Sequence, residues 1–254
     1  MAITIKSERE IELMAEAGKI LERVHNELEK ALRLGMSTKD IDTLGEEIIR
    51  SYGCIPSFLN YNGYPASICV SVNQEVVHGI PDKHRIIQEG DIVSLDAGVI
   101  YKGYHSDAAR THAVGEVSEE AKKLIQVTKE SFFEGIKFAK AGNHLFDISG
   151  AIGRYAEERG YGVVRDLCGH GIGTALHEAP EIPNYEVGRK GVRLRPGMTL
   201  AIEPMINIGT HEVDWLDDDW TVVTRDGSLS AHYENTILIT EGEPRILSLT
   251  CENE

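Results

Sequence analysis

The succession of helices and strands repeats once along the chain, and this repeat limits the possible folds more than any other sequence feature. Ser7 and Ser118 each precede an amphipathic segment in which apolar residues recur every three or four positions, and Ser7 also begins a capping box that ends at Glu10. A second helix and several apolar, strand-like segments follow in each half. We predict helices over residues 7–35, 37–53, 118–142 and 144–160, and strands over 68–72, 90–99, 104–114, 199–206, 221–224 and 233–239.

Short motifs support the repeat, because they recur in the same order in both halves. His78 and His177 each begin an H-x-x-P segment that is followed by an acidic residue. Asp96 and Glu203 each lie six residues after a glycine, within an apolar segment, and each half then supplies one more acidic strand residue. Such an ordered set of matches is hard to attribute to chance.

The repeat predicts the architecture of the whole chain. A chain of 254 residues is long enough to bury a sizeable core. We expect an α+β fold in which a single domain over residues 1–254 contains two pseudo-symmetric halves, roughly 1–115 and 116–254. Each half should pack two helices on antiparallel strands.

Acidic residues lie inside segments that otherwise resemble buried strands. Asp96 lies in an apolar run over residues 92–99, where an unpaired carboxylate would be costly, and Asp107 lies on the next strand. A turn centred on residues 101–102 would place the two acids opposite each other, whereas a turn centred on residues 102–103 would place them one diagonal apart. Either register puts both on one face, where a divalent cation would turn their repulsion into attraction.

Glu203 and Glu234 repeat this pattern in the second half, and a histidine joins them. His170 lies in the glycine-rich segment Cys168–Gly173, where side chain and backbone can approach a site closely. Four carboxylates and one imidazole suit Mn(II), Fe(II), Co(II) or Zn(II) and do not suit copper. Because five side chains are too many for one open catalytic ion, we predict two divalent metal ions per chain, about 3.5–4 Å apart. Such a pair activates a bridging water, which implies hydrolysis of an amide, ester or phosphate.

The overall composition excludes several classes of partner. With 26 Lys and Arg against 41 Asp and Glu, the net charge is −15, so we expect no direct specificity for nucleic acid. No apolar run of about 18 residues is present and the N-terminus has no secretory pattern, so we expect no membrane association. The four cysteines form no C-x-x-C pair and are expected to be reduced, which predicts a cytoplasmic protein.

Five segments carry a resemblance to a known family that covers nearly the whole chain. The segments are NGYPASICVSVNQEVVHGIP, SLDAGVIYKGYHSDAARTHAVG, CGHGIGTALHEAP, LAIEPMI and YENTILIT. With them the chain resembles the bacterial-type, type I methionine aminopeptidases, which are metallopeptidases. The resemblance implies the pita-bread (creatinase/aminopeptidase) fold, with two pseudo-symmetric halves of helices packed on a curved antiparallel sheet. It also implies removal of the initiator methionine when the second residue is small, by attack of a metal-bridging water or hydroxide on the scissile carbonyl.

The resemblance distributes the five candidate ligands between two ions. It implies that Asp96 binds the first ion with both carboxylate oxygens. Asp107 and Glu234 would bridge the two ions, and His170 and Glu203 would complete the second.

The resemblance also implies catalytic and substrate-binding residues. Glu203 would act as general base or carry a proton to the leaving amine, while His78 and His177 would hydrogen-bond the scissile amide and the tetrahedral intermediate. The residues that match the apolar methionine pocket of the family are Tyr61, Tyr64, Cys69, Trp220, Phe58 and Leu176. Trp220 fits the role of a loop anchor equally well, and we expect the acidic segment over residues 214–219 to be a solvated loop. The other histidines are expected to be ordinary residues.

As partners, the resemblance implies the N-termini of nascent polypeptides at the ribosome, and we expect a monomer. Two alternatives remain open. A proline-directed peptidase of the same fold usually carries an extra N-terminal domain, for which we see no room in this chain. A metal-free binding protein on this scaffold would have lost ligands, whereas all five are present here.

Overall fold

The helices occur as two pairs, one in each half of the chain, as the repeat predicts. In the computed structural model, which describes residues 3–249, they are α1 (Glu8–Ala31), α2 (Thr38–Ser51), α3 (Glu119–Ile136) and α4 (Leu145–Glu157). The side chains of Ser7 and Ser118 accept hydrogen bonds from backbone N–H groups of the first turn, and Glu10 completes the predicted capping box. The prediction that α3 extends to Gly142 was wrong. The helix ends at Ile136, and turn residues separate it from Gly142.

Short strands make up the rest of the ordered structure. In the first half they are β1 (Ile55–Pro56), β2 (Ile68–Val72), β3 (Glu75–Val77), β4 (Ile92–Tyr101) and β5 (Tyr104–Ala113). In the second half they are β6 (Gly162–Val163), β7 (Gly169–Gly171), β8 (Glu178–Ile182), β9 (Thr199–Ile202), β10 (Met205–Asn207), β11 (Val213–Trp215), β12 (Val222–Thr224), β13 (Ser230–His232), β14 (Asn235–Leu238) and β15 (Arg245–Ile246).

Within residues 3–249 the strands pair only in the antiparallel sense and form four sheets. In the first half β4 lies at the centre, paired with β1, β2 and β5, and in the second half the order is β15-β14-β9-β7-β8. The two smaller sheets have the orders β13-β10-β6 and β11-β12-β3. Since β3 comes from the first half and β12 from the second, backbone hydrogen bonds already tie the halves together.

The hairpin of β4 and β5 settles the register that the sequence left open. Tyr101 pairs with Tyr104, so that the turn is centred on Lys102 and Gly103, both of which have positive φ. Asp107 therefore pairs with Gly98, and Asp96 lies one diagonal away on the same face.

The second half departs from the prediction at both of its acids. The segment over residues 199–206, predicted as one strand, is broken into β9 and β10 at Glu203 and Pro204. Proline has no N–H to donate to a sheet, so the ladder is interrupted there. Glu234 likewise lies between β13 and β14 instead of inside a continuous strand. Both carboxylates thus extend from strand ends.

The two halves meet at a short contact between β5 and the start of β14. Ala109 and Glu234 exchange a pair of backbone hydrogen bonds, with N···O distances of 3.4 and 3.0 Å. This contact places β5, which carries Asp107, beside Glu234, which lies between β13 and β14. The acids of both halves consequently face one another across the junction.

Each helix pair covers one face of its own strands. Leu21 of α1 packs with Leu95 of β4 in the first half, and Phe132 of α3 packs with Leu200 of β9 in the second, all of them fully buried. Burial of such a side chain contributes about 1.5–3 kcal/mol. These two cores hold the strands rigid behind the acids.

Two further sequence expectations concern membrane-spanning helices and the cysteines. Within residues 3–249 no helix is long and apolar enough to cross a membrane. Cys54, Cys69 and Cys168 are free thiols, as predicted, whereas Cys251 lies outside the described residues.

Candidate active site

The five predicted metal ligands surround one cavity at the junction of the two halves. Its volume is about 160 Å³, and its lining includes Asp96, Asp107, His170, Glu203 and Glu234. The first two come from the β4–β5 hairpin, and the other three come from β7 and the ends of β9 and β14. No single half contains the set.

Three of these residues form the tightest group. Ligand atoms of Asp107, His170 and Glu234 all lie within 4.8 Å of one another, and all three residues are buried. Nε2 of His170 is 3.9 Å from Oδ2 of Asp107 and 3.7 Å from Oε1 of Glu203. Asp96 lines the same cavity but lies outside this group. The arrangement suits ligands that are shared between neighbouring ions.

The glycines around His170 let its strand fit between two others. A Cβ atom on Gly169 would lie 2.4 Å from the carbonyl oxygen of Ala201, and one on Gly171 would lie 2.2 Å from that of Ala179. Neither distance is sterically allowed, so the backbone of β7 can approach β8 and β9 only with glycine at both positions. The predicted reason for the glycine-rich segment, close approach, therefore holds for these two residues.

The hydrogen bonding of His170 leaves one ring nitrogen free for a cation. Nδ1 lies 2.9 Å from the carbonyl oxygen of Gly171, which can only accept, so Nδ1 carries the proton. Burial, with the nearby His177 adding to it, lowers the pKa of His170 to about 3, and the ring is neutral near pH 7. Nε2 consequently presents a lone pair to the carboxylates around it.

The carboxylates have the electrostatics of a site that a cation would complete. Oδ1 of Asp96, Oδ1 of Asp107 and Oε1 of Glu234 are buried with no hydrogen-bond partner among the described residues. Burial raises the pKa of Asp96 to about 7 and that of Glu203 to about 8. Burial and neighbouring carboxylates also raise the pKa of Asp107 and Glu234. Oxygen donors of this kind, together with one imidazole nitrogen, fit divalent ions of hard to intermediate character.

The two predicted substrate-facing histidines lie on the rim and wall of the same cavity. His177 stacks edge-on against His170, with ring centroids 4.2 Å apart, and its Nδ1 lies 2.7 Å from the hydroxyl of Tyr61. His78 adopts φ +59°, a left-handed conformation that is uncommon for a non-glycine residue and is enriched at functional sites. Burial lowers the pKa of His78 to about 4, so this ring is also neutral near pH 7.

The six predicted pocket residues form the apolar wall of the cavity. They are Phe58, Tyr61, Tyr64, Cys69, Leu176 and Trp220. The rings of Tyr64 and Trp220 meet edge to face at 5.1 Å, and the Tyr64 hydroxyl donates to the carbonyl oxygen of Gly79 at 3.0 Å. Asn62 also lines the cavity. Sequence reasoning did not find Asn62, since its only signal is its place beside Tyr61.

Trp220 lines the cavity with its ring, and its backbone is fixed by its own loop. Its ring lines the cavity, while its backbone N–H donates to Oδ1 of Asp218 at 2.9 Å. Asp218 also accepts hydrogen bonds from the N–H and hydroxyl of Thr221. One acid of the supposedly solvated loop therefore holds the tryptophan in place, whereas Asp214 forms an exposed ion pair with Arg225.

His232 lies beside the candidate ligands although it was expected to be ordinary. Its Nε2 is 3.6 Å from Oε2 of Glu203, and both of its ring nitrogens are buried without a hydrogen-bond partner among the described residues. Burial lowers its pKa to about 4. The available signal was its position two residues before Glu234, on the same strand face.

Comparisons with known proteins agree with this geometry. A family model described as metallopeptidase family M24 matches residues 12–241. The methionine aminopeptidase of Clostridium acetobutylicum is 58% identical over 250 residues, which cover 98% of this chain and 100% of that protein. Methionine aminopeptidase 1 of Bacillus subtilis is 51% identical over 239 residues, covering 94% of this chain and 96% of that protein.

Solved structures agree on the fold. The crystal structure of methionine aminopeptidase from Thermotoga maritima matches with a TM-score of 0.96 and 47% identity, covering 98% of this chain and 100% of that one. A Xaa-Pro dipeptidase from Bacillus anthracis matches with a TM-score of 0.77 and 27% identity, covering 97% of this chain but 62% of that one. The predicted pita-bread fold is confirmed, and it extends to proline-directed peptidases at lower similarity.

Proposed function

Since the chain belongs to the methionine aminopeptidases of metallopeptidase family M24, we propose that it removes the initiator methionine from nascent proteins and peptides whose second residue is small. One observation carries the proposal. A single cavity contains a cluster of buried carboxylates with unpartnered oxygens and a neutral imidazole. The same cavity has an aromatic, apolar wall that one side chain could contact. The first part suits hydrolysis and the second suits recognition of methionine.

The five ligand side chains would hold two divalent ions, drawn from Mn(II), Fe(II), Co(II) and Zn(II). The buried, unpartnered oxygens of Asp96, Asp107 and Glu234 and the lone pair on Nε2 of His170 support this assignment. When bound, such ions lower the pKa of a shared water and polarise a carbonyl group, which is the chemistry that amide hydrolysis requires near neutral pH.

We assign the proton transfer of the reaction to Glu203. Its side chain is 15% exposed, against 5% for that of Asp107, so it faces the cavity more openly. With ions bound, Glu203 would stay ionised despite its burial, and its carboxylate then takes up the proton that the attacking water loses. It delivers this proton to the amine nitrogen as the bond between the carbonyl carbon and that nitrogen breaks, which balances the hydrolysis.

The two histidines would bind the reacting amide. In this role the Tyr61 hydroxyl would donate to Nδ1 of His177, which would leave Nε2 of His177 protonated and free to donate to the carbonyl oxygen as negative charge develops. His78, on the Trp220 side of the cavity, would hydrogen-bond the scissile amide. Because burial keeps both rings neutral, each can donate from one nitrogen only.

The apolar wall would bind the methionine side chain. Aromatic rings make favourable contacts with a thioether sulfur, and Tyr64 and Trp220 offer two of them at an edge-to-face angle. The cavity is small, about 160 Å³, which supports recognition of a single side chain. The preference for a small second residue rests on the family resemblance.

We further propose the setting in which the enzyme works. Its substrates would be polypeptide N-termini emerging from the ribosome in the cytoplasm, with the enzyme acting as a monomer and as a single catalytic domain. The relatives are named for the same activity. We propose that the enzyme contacts the peptide and not the ribosomal RNA, because a net charge of −15 repels phosphate groups.

The proposal is tested with metal-free protein loaded separately with Mn(II), Co(II), Fe(II) or Zn(II). We expect release of methionine from Met-Ala-Ser, with a much lower kcat/KM for Met-Lys-Ser. Absence of released methionine with every ion would refute the proposal.

One further peptide and one binding measurement separate the alternatives. A proline-directed peptidase would instead cleave Ala-Pro-Ser, which we expect to remain intact. A metal-free binding protein would bind Met-Ala-Ser without cleaving it and would take up no divalent ion.

A further inference from the structure

A threonine hydroxyl replaces the backbone hydrogen bonds at one end of the junction between the halves. Oγ1 of Thr236 lies 2.9 Å from the backbone nitrogen of Asp107 and 2.9 Å from its carbonyl oxygen. It accepts from the first and donates to the second, since a hydroxyl can do both. The backbone of one candidate metal ligand is therefore held by a side chain from the other half.

The other end of the junction has the same arrangement with the halves exchanged. Oγ1 of Thr111 lies 2.9 Å from both the backbone nitrogen and the carbonyl oxygen of His232. The Ser94 hydroxyl is hydrogen-bonded to Oγ1 of Thr111 at 2.8 Å. Each threonine stands two residues from the central Ala109–Glu234 pair, but on opposite strands. We call the two hydroxyls of Thr111 and Thr236 the threonine clasp.

The clasp makes the strands diverge on both sides of the central pair. An ordinary antiparallel ladder would join residue 107 directly to 236 and residue 111 directly to 232. Within residues 3–249 the structure has neither backbone bond, and a hydroxyl is inserted in each place. The distance between the two backbones there is consequently set by the hydroxyl.

We propose that the threonine clasp fixes the separation of the Asp107 and Glu234 carboxylates, so that Thr236 and Thr111 are positioning residues for the two-ion centre. The inference rests on the proposed function, because it takes these two carboxylates to be the ones that both ions share. Asp107 is held by Thr236, and Glu234, a member of the central pair, lies two residues after His232, whose backbone Thr111 holds. Partners that orient metal ligands typically change affinity by about 10–100-fold when they are removed.

The test compares Thr236→Val, which keeps the shape and loses the hydroxyl, with Thr236→Ser, which keeps the hydroxyl. Mn(II) is titrated into the metal-free, full-length proteins, and binding is followed by calorimetry and by the electron paramagnetic resonance signal of coupled ions. We expect the wild type to bind two ions, Thr236→Val to bind at least one of them roughly tenfold more weakly, and Thr236→Ser to bind within about threefold of the wild type. Thr111→Val should shift affinity in the same direction.

Thr128→Val is the matched control. Thr128 is also buried, and its hydroxyl donates to the carbonyl oxygen of Leu124 inside α3, away from the site. This variant should lower the melting temperature and leave Mn(II) affinity unchanged.

The possible outcomes test the role of the threonine clasp separately from the proposed function. If Thr236→Val lowers the melting temperature as Thr128→Val does but binds Mn(II) like the wild type, the clasp only stabilises the fold and the inference is overturned. If Thr236→Val does not fold, unchanged affinity in Thr111→Val overturns it instead. A wild type that binds no Mn(II) and, in parallel titrations, no Co(II), Fe(II) or Zn(II) would remove the proposed function itself.

Discussion

The hydroxyl of Tyr61 and Nδ1 of His177 lie 2.7 Å apart, which couples the wall of the cavity to a candidate catalytic histidine. Burial lowers the pKa of His177, so its ring carries one proton near neutral pH. The tautomer of that ring therefore depends on the partner of Nδ1. Tyr61 thus connects the apolar wall of the cavity with the histidine that we propose as donor to the substrate carbonyl.

Replacing Tyr61 with phenylalanine tests this connection. Tyr61→Phe keeps the ring contact with His177 at a centroid distance of 5.2 Å but removes the hydroxyl. We expect kcat for Met-Ala-Ser to fall roughly tenfold with a small change in KM. The reason is that a misoriented His177 would stabilise the transition state less, while binding of the substrate would change little. A kcat within about twofold of the wild type would show that Nδ1 needs no partner for catalysis.

A second prediction concerns the metal-free protein, which should lose stability as the pH rises above neutral. The raised pKa values of Asp96 (about 7) and Glu203 (about 8) mean that the native state holds protons that the unfolded chain has already released. Stability from these groups is complete below about pH 4 and is lost as the pH rises through 7 and 8. Between pH 6.5 and 8.5 the loss should be on the order of 2 kcal/mol.

This pH window isolates the carboxylates from the buried histidines. His170 and His232 have lowered pKa values, so they destabilise the native state only below about pH 6.5, where their unfolded forms take up protons. Denaturant unfolding at pH 6.5 and 8.5, with a chelator and with Mn(II), provides the measurement. Equal stability of the metal-free protein at both pH values would argue against the carboxylate cluster, and Mn(II) should abolish the dependence.

Much of the architecture could be predicted from local patterns. The strand Ile68–Val72 was predicted with its observed bounds, and the cap of α1 at Ser7 follows from neighbouring residues alone. The acids at positions 96 and 107 were recognisable because a carboxylate inside an apolar strand contradicts its surroundings. These signals are local, so a single sequence contains them.

Other features depend on contacts between distant parts of the chain. The environment of His232 arises from pairing with Thr111, 121 residues away, and from Glu203 beside it. Pro204 is a local signal for the break after Glu203, but the sequence does not show that β9 then pairs with β14 while β10 pairs with β13. Sequence reasoning therefore found the five candidate ligands, which the structure brings to one cavity, but not the residues that hold their backbones in place.

A third prediction concerns a buried ion pair next to His177. Nζ of Lys6 lies 2.7 Å from Oε2 of Glu178, with side chains only 4% and 12% exposed, and Glu178 directly follows His177 in the chain. Lys6→Met should cost about 3 kcal/mol of folding free energy, because it leaves a buried carboxylate without its cation. It should also lower kcat by displacing His177.

The matched control is Lys137→Met, which removes an exposed ion pair with Glu134 on α3, with side chains 61% and 37% exposed. That change should cost less than about 0.5 kcal/mol and leave kcat unchanged. Denaturant unfolding and steady-state kinetics of both variants provide the comparison. An effect of Lys6→Met no larger than that of the control would contradict the structural role of the pair.

The last prediction compares Asp96 with Asp42, a buried acid whose carboxylate has hydrogen-bond partners. Asp42 is 1% exposed, and its Oδ1 accepts hydrogen bonds from the backbone N–H groups of Ser67 and Ile68, whereas Oδ1 of Asp96 has no partner among the described residues. Asp96→Asn should therefore reduce the number of Mn(II) ions bound and lower kcat/KM by at least about 100-fold, since an amide is a poor replacement for a carboxylate ligand. Asp42→Asn should instead lower the melting temperature and leave both quantities near the wild type. Full activity with two bound ions in Asp96→Asn would refute the ligand role of this residue.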